Sequence, residues 1–305
     1  MSLFDRAVVG LLPLVPKPVV RRFSRPYIAG VRLPDAIAAI RQLNGTGMRG
    51  TLDVLGEHIH RMEDAAGPLN AYLEVLSELH RTGVDSNISV KLTQLGLTVD
   101  REACFRNIHA LVVRARELGN WVRIDMEDSS CTEPTLEIYG RLRGELDNVG
   151  IVLQAMLRRS LSDAEALARL TPNVRLCKGI YVEPRRIAYQ DGELINRNFL
   201  RILERLVGNG SYVGIATHDE RLVYESLRLI EQHGLSRDRY EFQMLLGVEP
   251  ELRQIIVDAG HPMRVYVPFG EQWYAYSMRR MRENPKIAGH VARTVLGLSN
   301  SRPSR

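Results

Sequence analysis

NISVKLTQLGLTVDREACFRNIHALVVRARELGNWVRIDM, residues 87–126, decides the fold. It opens and closes on short apolar, β-prone runs, NISVKL and WVRIDM. Between them, REACFRNIHALVVRARELG is amphipathic and long enough for a helix. A strand, a helix and a second strand in close succession read as a βαβ unit, which joins parallel strands. The same alternation runs outward in both directions. β-prone runs recur at TLDVL (51–55), GIVLQA (150–155), NVRLCK (173–178), YVGIAT (212–217), YEFQML (240–245) and MRVYVP (263–268). With the two quoted runs this makes eight units in a chain of 305 residues. Eight units predict an α/β protein closed into a (β/α)8 TIM-type barrel, with an open doubly wound sheet as the alternative. Low-complexity linkers are absent. The reading sets a helical extension at residues 1–45, the barrel at 46–298 and a tail at 299–305.

One motif argues for a different fold and fails on its context. Gly45–Gly50 spells G-x-G-x-x-G. A dinucleotide-binding fingerprint follows a strand and opens a helix, so that phosphate meets the helix N-terminus. Here the helical pattern PDAIAAIRQL comes before it and the strand TLDVL after it. The glycines therefore read as a helix-to-strand loop.

Hydrophobic residues make up 45% of the chain and charged residues 25%, the composition of an ordinary globular protein. The N-terminal run AVVGLLPLVP (7–16) is too short to span a bilayer and lacks a small-residue cleavage site after it. Cys104, Cys131 and Cys177 are scattered, with no metal-ligand spacing, which predicts reduced thiols, no metal and a cytoplasmic protein. Charge is uneven. Residues 1–32 carry six Lys/Arg against one acid, and 286–305 carry four against none. Basic, partly apolar ends on a mildly acidic body are suited to peripheral contact with an anionic membrane surface. A basic stripe with interleaved aromatics, which nucleic acid would need, is missing.

In a barrel of this type the chemistry sits at the C-terminal ends of the strands. Every strand offers a polar group there. Glu57 follows the first strand, Lys91 ends the second, and Asp125 and Glu127 close the third. Gln154, Arg175 with Lys178, Thr217 with His218, Gln243 and Tyr266 come from the remaining five. Only four of the 41 basic residues are lysines, and two of them stand at strand ends. The stretch YAYSMRRMRENP (274–285) places Arg279 and Arg280 side by side in a helical pattern. Helix neighbours point about 100° apart, so the pair cannot form one flat patch on the solvent side. Arg279, Arg280 and Lys91 against Glu57 and Asp125 are suited to a small zwitterion, because arginines fork onto a carboxylate.

The ordered motifs LDVLGE, SVKLTQLG, IDMED, VLQAM, VRLCKGIYVEP, ATHD, EFQML, RVYVPFG and YSMRRMREN resemble the bacterial monofunctional proline dehydrogenases, the FAD-dependent proline oxidase family. The resemblance runs from Leu52 to Pro285. It implies a distorted barrel with an extra N-terminal helical segment and a C-terminal helix. It also implies FAD at the strand C-termini and hydride transfer from C5 of L-proline to flavin N5. The product would be 1-pyrroline-5-carboxylate, the first step of proline degradation to glutamate. A membrane quinone would take the electrons, and pyrroline-5-carboxylate dehydrogenase would act downstream. By resemblance, Arg279, Arg280 and Lys91 hold the carboxylate, Glu57 pairs with Arg279, and Asp125 orders the cationic cluster. Tyr266 packs on the proline ring, with Tyr181, Leu245 and Tyr276 around it. Arg175 lies near N5 and Gln154 on the ring. Lys178, Gly179, Thr217, His218, Gln243 and Glu283 line the cofactor.

Four positions depart from the family pattern. Met156 stands where tyrosine is common, Ile180 where alanine is usual, and Ser277 and Met281 replace leucines. The residues themselves leave two other classes open. One is a Schiff-base aldolase barrel using Lys91 or Lys178, and the other is a non-catalytic amino-acid-binding barrel.

Overall fold

Eight parallel strands close into a barrel in which each is bonded to its sequence neighbours and β1 to β8. The computed structural model describes residues 17–56 and 58–283, with helix backbone alone at positions 19, 23 and 279–283. The strands are β1 Arg49–Val54, β2 Ser86–Val90, β3 Val122–Ile124, β4 Val149–Gln154, β5 Asn173–Cys177, β6 Tyr212–Ala216, β7 Tyr240–Leu245 and β8 Met263–Phe269. Each falls on a β-prone run read from the sequence. The open doubly wound sheet is excluded by the β1–β8 ladder, which pairs Arg49 with Arg264 through to Val54 with Phe269.

The quoted stretch forms β2, a helix over Arg101–Glu117, and β3. Asp100 caps that helix by accepting a hydrogen bond from the Ala103 amide at 2.9 Å. Its inner face of Cys104, Ile108, Leu111, Val112 and Ala115 is buried against the strands. The main core lies between barrel and helices, and the outward strand positions Ile88, Val90, Val122, Ile124, Val213 and Ile215 belong to it. Each is fully buried, which is why parallel strands read as apolar runs.

Two helices depart from the simple alternation. The helix Leu33–Gly45 precedes β1 and packs Ala36, Ile37 and Ile40 against β1 and β8. The approach is close: a Cβ at Gly50 would lie 2.1 Å from Ile40 Cδ1. The Gly45–Gly50 stretch is the connection from this helix into β1, with Gly47 at φ +78°. The last helix, Trp273–Glu283, brings Tyr276 over the C-terminal mouth, where it packs with Leu55 and Ile28. Arg279 and Arg280 fall on this helix, as the helical pattern of the sequence implied. No helix among the described residues is long and apolar enough to cross a membrane.

The segment before the barrel is clamped to it. Ala29 N donates to Pro268 O at 2.9 Å, and Gly270 N donates to Gly30 O at 3.2 Å. Gly247, at φ +75°, leaves no room for a side chain: a Cβ would sit 2.2 Å from Pro26 O. Gly247→Ala is therefore expected to destabilise the protein by about 2 kcal/mol or more. Gly45→Ala, with nothing within 4 Å, is the control and should be neutral or slightly stabilising. Urea unfolding of the two variants checks this.

Candidate active site

Period-2 alternation along a strand puts every second residue inside the barrel. Here those inward positions carry charge rather than the branched apolar residues usual in such barrels. They form two connected layers. The deeper layer holds Arg123, Glu241 and Arg264, each at most 5% exposed. Arg264 Nε donates to Glu241 Oε1 at 2.7 Å, and its Nη1 donates to Gly50 O at 2.6 Å. Arg123 is held by the carbonyls of Ile151 and Asn173 at 2.8 and 2.7 Å and by the Asn173 side chain. Gln243 joins this layer to the one above. Its amide nitrogen donates to Glu241 Oε1 at 2.6 Å, and its oxygen accepts from Arg175 Nε at 2.5 Å.

The upper layer stands at the strand C-termini. Lys91, immediately after β2, donates to Asp53 Oδ1 at 2.7 Å and lies 3.8 Å from Asp125 Oδ2. Asp125, immediately after β3, accepts from Ser89 Oγ at 2.6 Å, Arg175 Nη1 at 2.7 Å and Tyr266 OH at 2.9 Å. Burial alone would raise the Asp125 carboxyl. Arg175 and Lys91 outweigh that and hold it below the usual carboxylate range. Burial would likewise lower the Lys91 ammonium, but Asp53 and Asp125 push it above its ordinary value. The Tyr266 hydroxyl is raised well above its ordinary value by burial and then by Asp125 and Asp53. Lys91 stays cationic, Asp125 anionic and Tyr266 neutral through the neutral range. A lysine held so firmly charged is a poor Schiff-base nucleophile.

Above this layer opens a cavity of about 550 Å³. Thirteen of the candidate site residues read from the sequence line it. Lys91, Asp125, Arg175, Gln243, Leu245 and Tyr266 line it from the strands and their C-terminal ends, with Gln154 at the end of β4, the strand between β3 and β5. Lys178, Gly179, Tyr181, Thr217, His218 and Tyr276 form the rim. Lys178 is paired with Asp219 at 2.8 Å, and His218 Nε2 accepts from the Leu245 amide at 2.9 Å. Glu57 lies outside the described residues, as do the side chains of Arg279, Arg280 and Glu283. Of the four departures, Met156 is buried beneath Gly179, Ile180 is 41% exposed on the rim, and Ser277 donates to Trp273 O at 2.6 Å. The Met281 side chain lies outside the described residues.

Two of the lining residues each have a buried polar atom with no hydrogen-bond partner among the described residues, Arg175 Nη2 and Gln154 Oε1. Gln154 spends its amide nitrogen on the Met126 and Glu127 carbonyls, at 3.1 and 3.0 Å. Both residues line the cavity with the apolar Val152, Ala216 and Met244, and each carries one buried polar atom, a donor and an acceptor, left unsatisfied among the described residues. Gly179, at φ +97°, packs closely on Met156, where a Cβ would lie 2.6 Å from Cγ. A planar heterocycle with both hydrogen-bonding senses fits this donor set.

The sequence reading missed Asp53, which lines the cavity and is the nearest partner of Lys91. It also missed the deeper layer of Arg123, Glu241 and Arg264. The available signal was the same for all four: a charged side chain at an inward position of a strand buried on both faces.

A model of the proline dehydrogenase family matches residues 36–293. A proline dehydrogenase of Deinococcus radiodurans is 34% identical, covering 97% of this chain and 98% of its own length. Proline dehydrogenase 2 of Bacillus subtilis is 35% identical, covering 85% of both chains. The bifunctional PutA of Escherichia coli is 28% identical, and the match covers only 25% of it. Among solved structures, proline utilization A from Bdellovibrio bacteriovorus superposes with a TM-score of 0.83 at 22% identity. That match covers 96% of this chain and 38% of the other, and it bears on the fold alone.

Proposed function

The chain belongs to the proline dehydrogenase family and is an enzyme of proline oxidation, and on that premise we propose that it converts L-proline to 1-pyrroline-5-carboxylate with FAD in the barrel mouth. The observation that supports the cofactor is that Arg175 and Gln154 line one cavity and each keeps a buried polar atom, Nη2 and Oε1, without a partner among the described residues. When bound there, FAD would supply the two-electron acceptor for the hydride that leaves proline C5. Arg175 puts a fixed positive charge beside that acceptor, which favours its electron-rich form. Lys178, Gly179, Thr217, His218 and Gln243 supply the remaining contacts, with Glu283 toward the ribose.

Proline is a zwitterion, and the site answers each part. Its carboxylate is held by Arg279, Arg280 and Lys91. Glu57 pairs with Arg279 and closes over the substrate. The ring packs on Tyr266, with Tyr181, Leu245 and Tyr276 around it. Asp125 fixes Tyr266 from below through the 2.9 Å hydrogen bond. The nitrogen must be neutral when the hydride leaves, because its lone pair forms the new C=N bond. A membrane quinone takes the electrons, reached by peripheral contact of the basic chain ends, and a pyrroline-5-carboxylate dehydrogenase consumes the product.

The test is an anaerobic visible spectrum before and after adding L-proline. A flavin spectrum that bleaches is the expected result. The Arg279→Ala, Arg280→Ala double variant should fail to bleach at the same proline concentration. Two charge-assisted contacts of about 1.5–3 kcal/mol each imply a half-saturation raised roughly 10²- to 10⁴-fold. A flavin that proline leaves oxidised would overturn the substrate; a protein that binds no FAD would overturn the cofactor.

A further inference from the structure

We propose that Glu127 and His58 carry away the proton that the substrate ammonium must lose, through a second cavity beside the main one. The inference rests on the proline-oxidation reading. The groups of the main cavity are poor acceptors. Asp125 is engaged by Arg175, Ser89 and Tyr266 and held below the usual carboxylate range. Asp53 accepts from both Lys91 and the Tyr72 hydroxyl. Lys91 is already protonated, and Tyr266 already donates to Asp125.

Glu127 differs from both aspartates. It is 3% exposed, yet among the described residues no lysine or arginine pairs with it. Oε1 accepts from the Thr93 amide at 3.1 Å, and Oε2 from Thr93 Oγ1 at 2.5 Å. The one salt-bridge-range partner among the described residues is His58, with Nε2 at 3.6 Å from Oε2. Burial raises the Glu127 carboxyl, against the pull of Thr93, Lys91 and His58. A carboxylate raised in this way is the better proton acceptor near neutral pH.

The second cavity, about 460 Å³, connects these groups. Glu127 and Thr93 lie on its wall, His58 and His60 at its side, and it shares Lys91, Tyr181 and Tyr276 with the main cavity. The His58 side chain is 52% exposed, so the far end meets solvent. Among the described residues, the titratable groups facing Glu127 are Lys91 after β2, His58 after β1, and the thiols of Cys104 and Cys131 on the flanking helices. Burial pushes those thiols up to about 12 and about 11, so they stay neutral. Asp128, next in the chain, is turned to the Ser130 amide as a helix cap. In the transfer the ammonium N–H bond breaks and its electron pair stays on nitrogen. The proton passes along water filling the cavity to Glu127, then to His58 Nε2 and to bulk solvent.

The experiment is anaerobic stopped-flow bleaching of the flavin-loaded enzyme by proline, from pH 6 to 10. In the wild type the rate should rise through one ionisation and level off. Glu127→Gln, which keeps the shape and a hydrogen bond to Thr93, should be about 10²- to 10⁴-fold slower at neutral pH. Its rate should still be climbing at pH 10. His58→Gln, on a half-exposed side chain, should lower kcat in dilute buffer with little change in KM. Added imidazole should restore it in proportion to concentration. A Glu127→Gln profile that keeps the wild-type ionisation overturns the proposal, since a merely structural carboxylate would leave it in place. If that variant does not fold, His58→Gln decides, and a rate indifferent to imidazole overturns it. Wild-type enzyme that proline does not bleach fails the underlying reading instead.

Discussion

Lys91→Met is expected to lower kcat/KM for proline by on the order of 10² to 10³. Nζ is the only group among the described residues that links Asp53, at 2.7 Å, with the Tyr266 hydroxyl, at 3.3 Å. Removing it takes away a charge-assisted contact to the carboxylate, worth about 1.5–3 kcal/mol. It also leaves Asp53, 1% exposed, as a buried anion facing an anionic group of the substrate. The second effect costs stability as well, and a folding defect alone would lower activity. Lys91→Met with Asp53→Asn separates the two. The double variant removes both charges, so its unfolding midpoint should return toward wild type while kcat/KM stays low. Steady-state kinetics beside urea unfolding of both proteins checks this. A double variant with wild-type kcat/KM would show that Lys91 serves the fold and not the substrate.

Arg264→Met is expected to destabilise the protein by about 3–5 kcal/mol, because it removes the cation at 2.7 Å from buried Glu241 and leaves only the half-exposed Arg49, at 4.0 Å, in range among the described residues. Glu241 is fully buried, and the Arg264 guanidinium is the main influence holding its carboxyl below the usual range against burial. In the wild type that contribution is complete above the ordinary carboxyl value of 4.5 and is lost as the pH falls through the depressed folded value. In the variant the sign reverses. The stranded carboxyl has a raised folded value, so the defect should shrink as the pH falls and the group protonates. Adding Glu241→Gln to Arg264→Met should recover most of the loss at neutral pH, since replacing both members of a buried pair is far milder than removing one. Urea unfolding at pH 5 and pH 8, with the slope m unchanged, reads the effect. A single variant equally unstable at both values would mean that Glu241 is not the group left uncompensated.

Both predictions concern residues that differ in how visible they were in the sequence. Lys91 stood out because it is one of four lysines and ends a β-prone run. Asp53 sits inside such a run, in TLDVL, and passed as a polar interruption. Its meaning depends on the inside of the barrel being polar here, which no local pattern announces. Glu241 and Arg264 were passed over for the same reason, although YEFQML and MRVYVP were both read as strands. Glu127 was noted at the end of the third strand without a role. Its role arises from Thr93 and His58, which come from two other strand ends.

Secondary structure and barrel closure were legible because they follow from periods of 2 and 3.6 residues and from the number of repeats, all local properties of a covalent chain. The sequence by itself therefore determined eight strands, their parallel order and the end at which polar groups gather. The pairing of those groups was decided only by the tertiary structure. Asp53 and Lys91 are 38 residues apart, and Asp125 and Tyr266 are 141 apart. Each pair meets because register and barrel closure bring strand ends to the same height around one axis. Once there, burial sets the proton affinities. Asp125 is pulled down by the cations beside it, and Glu127, two residues on, is pushed up by burial where no lysine or arginine pairs with it among the described residues. The two carboxyls are nearly alike in sequence, and the difference lies in the charges that the fold sets around each.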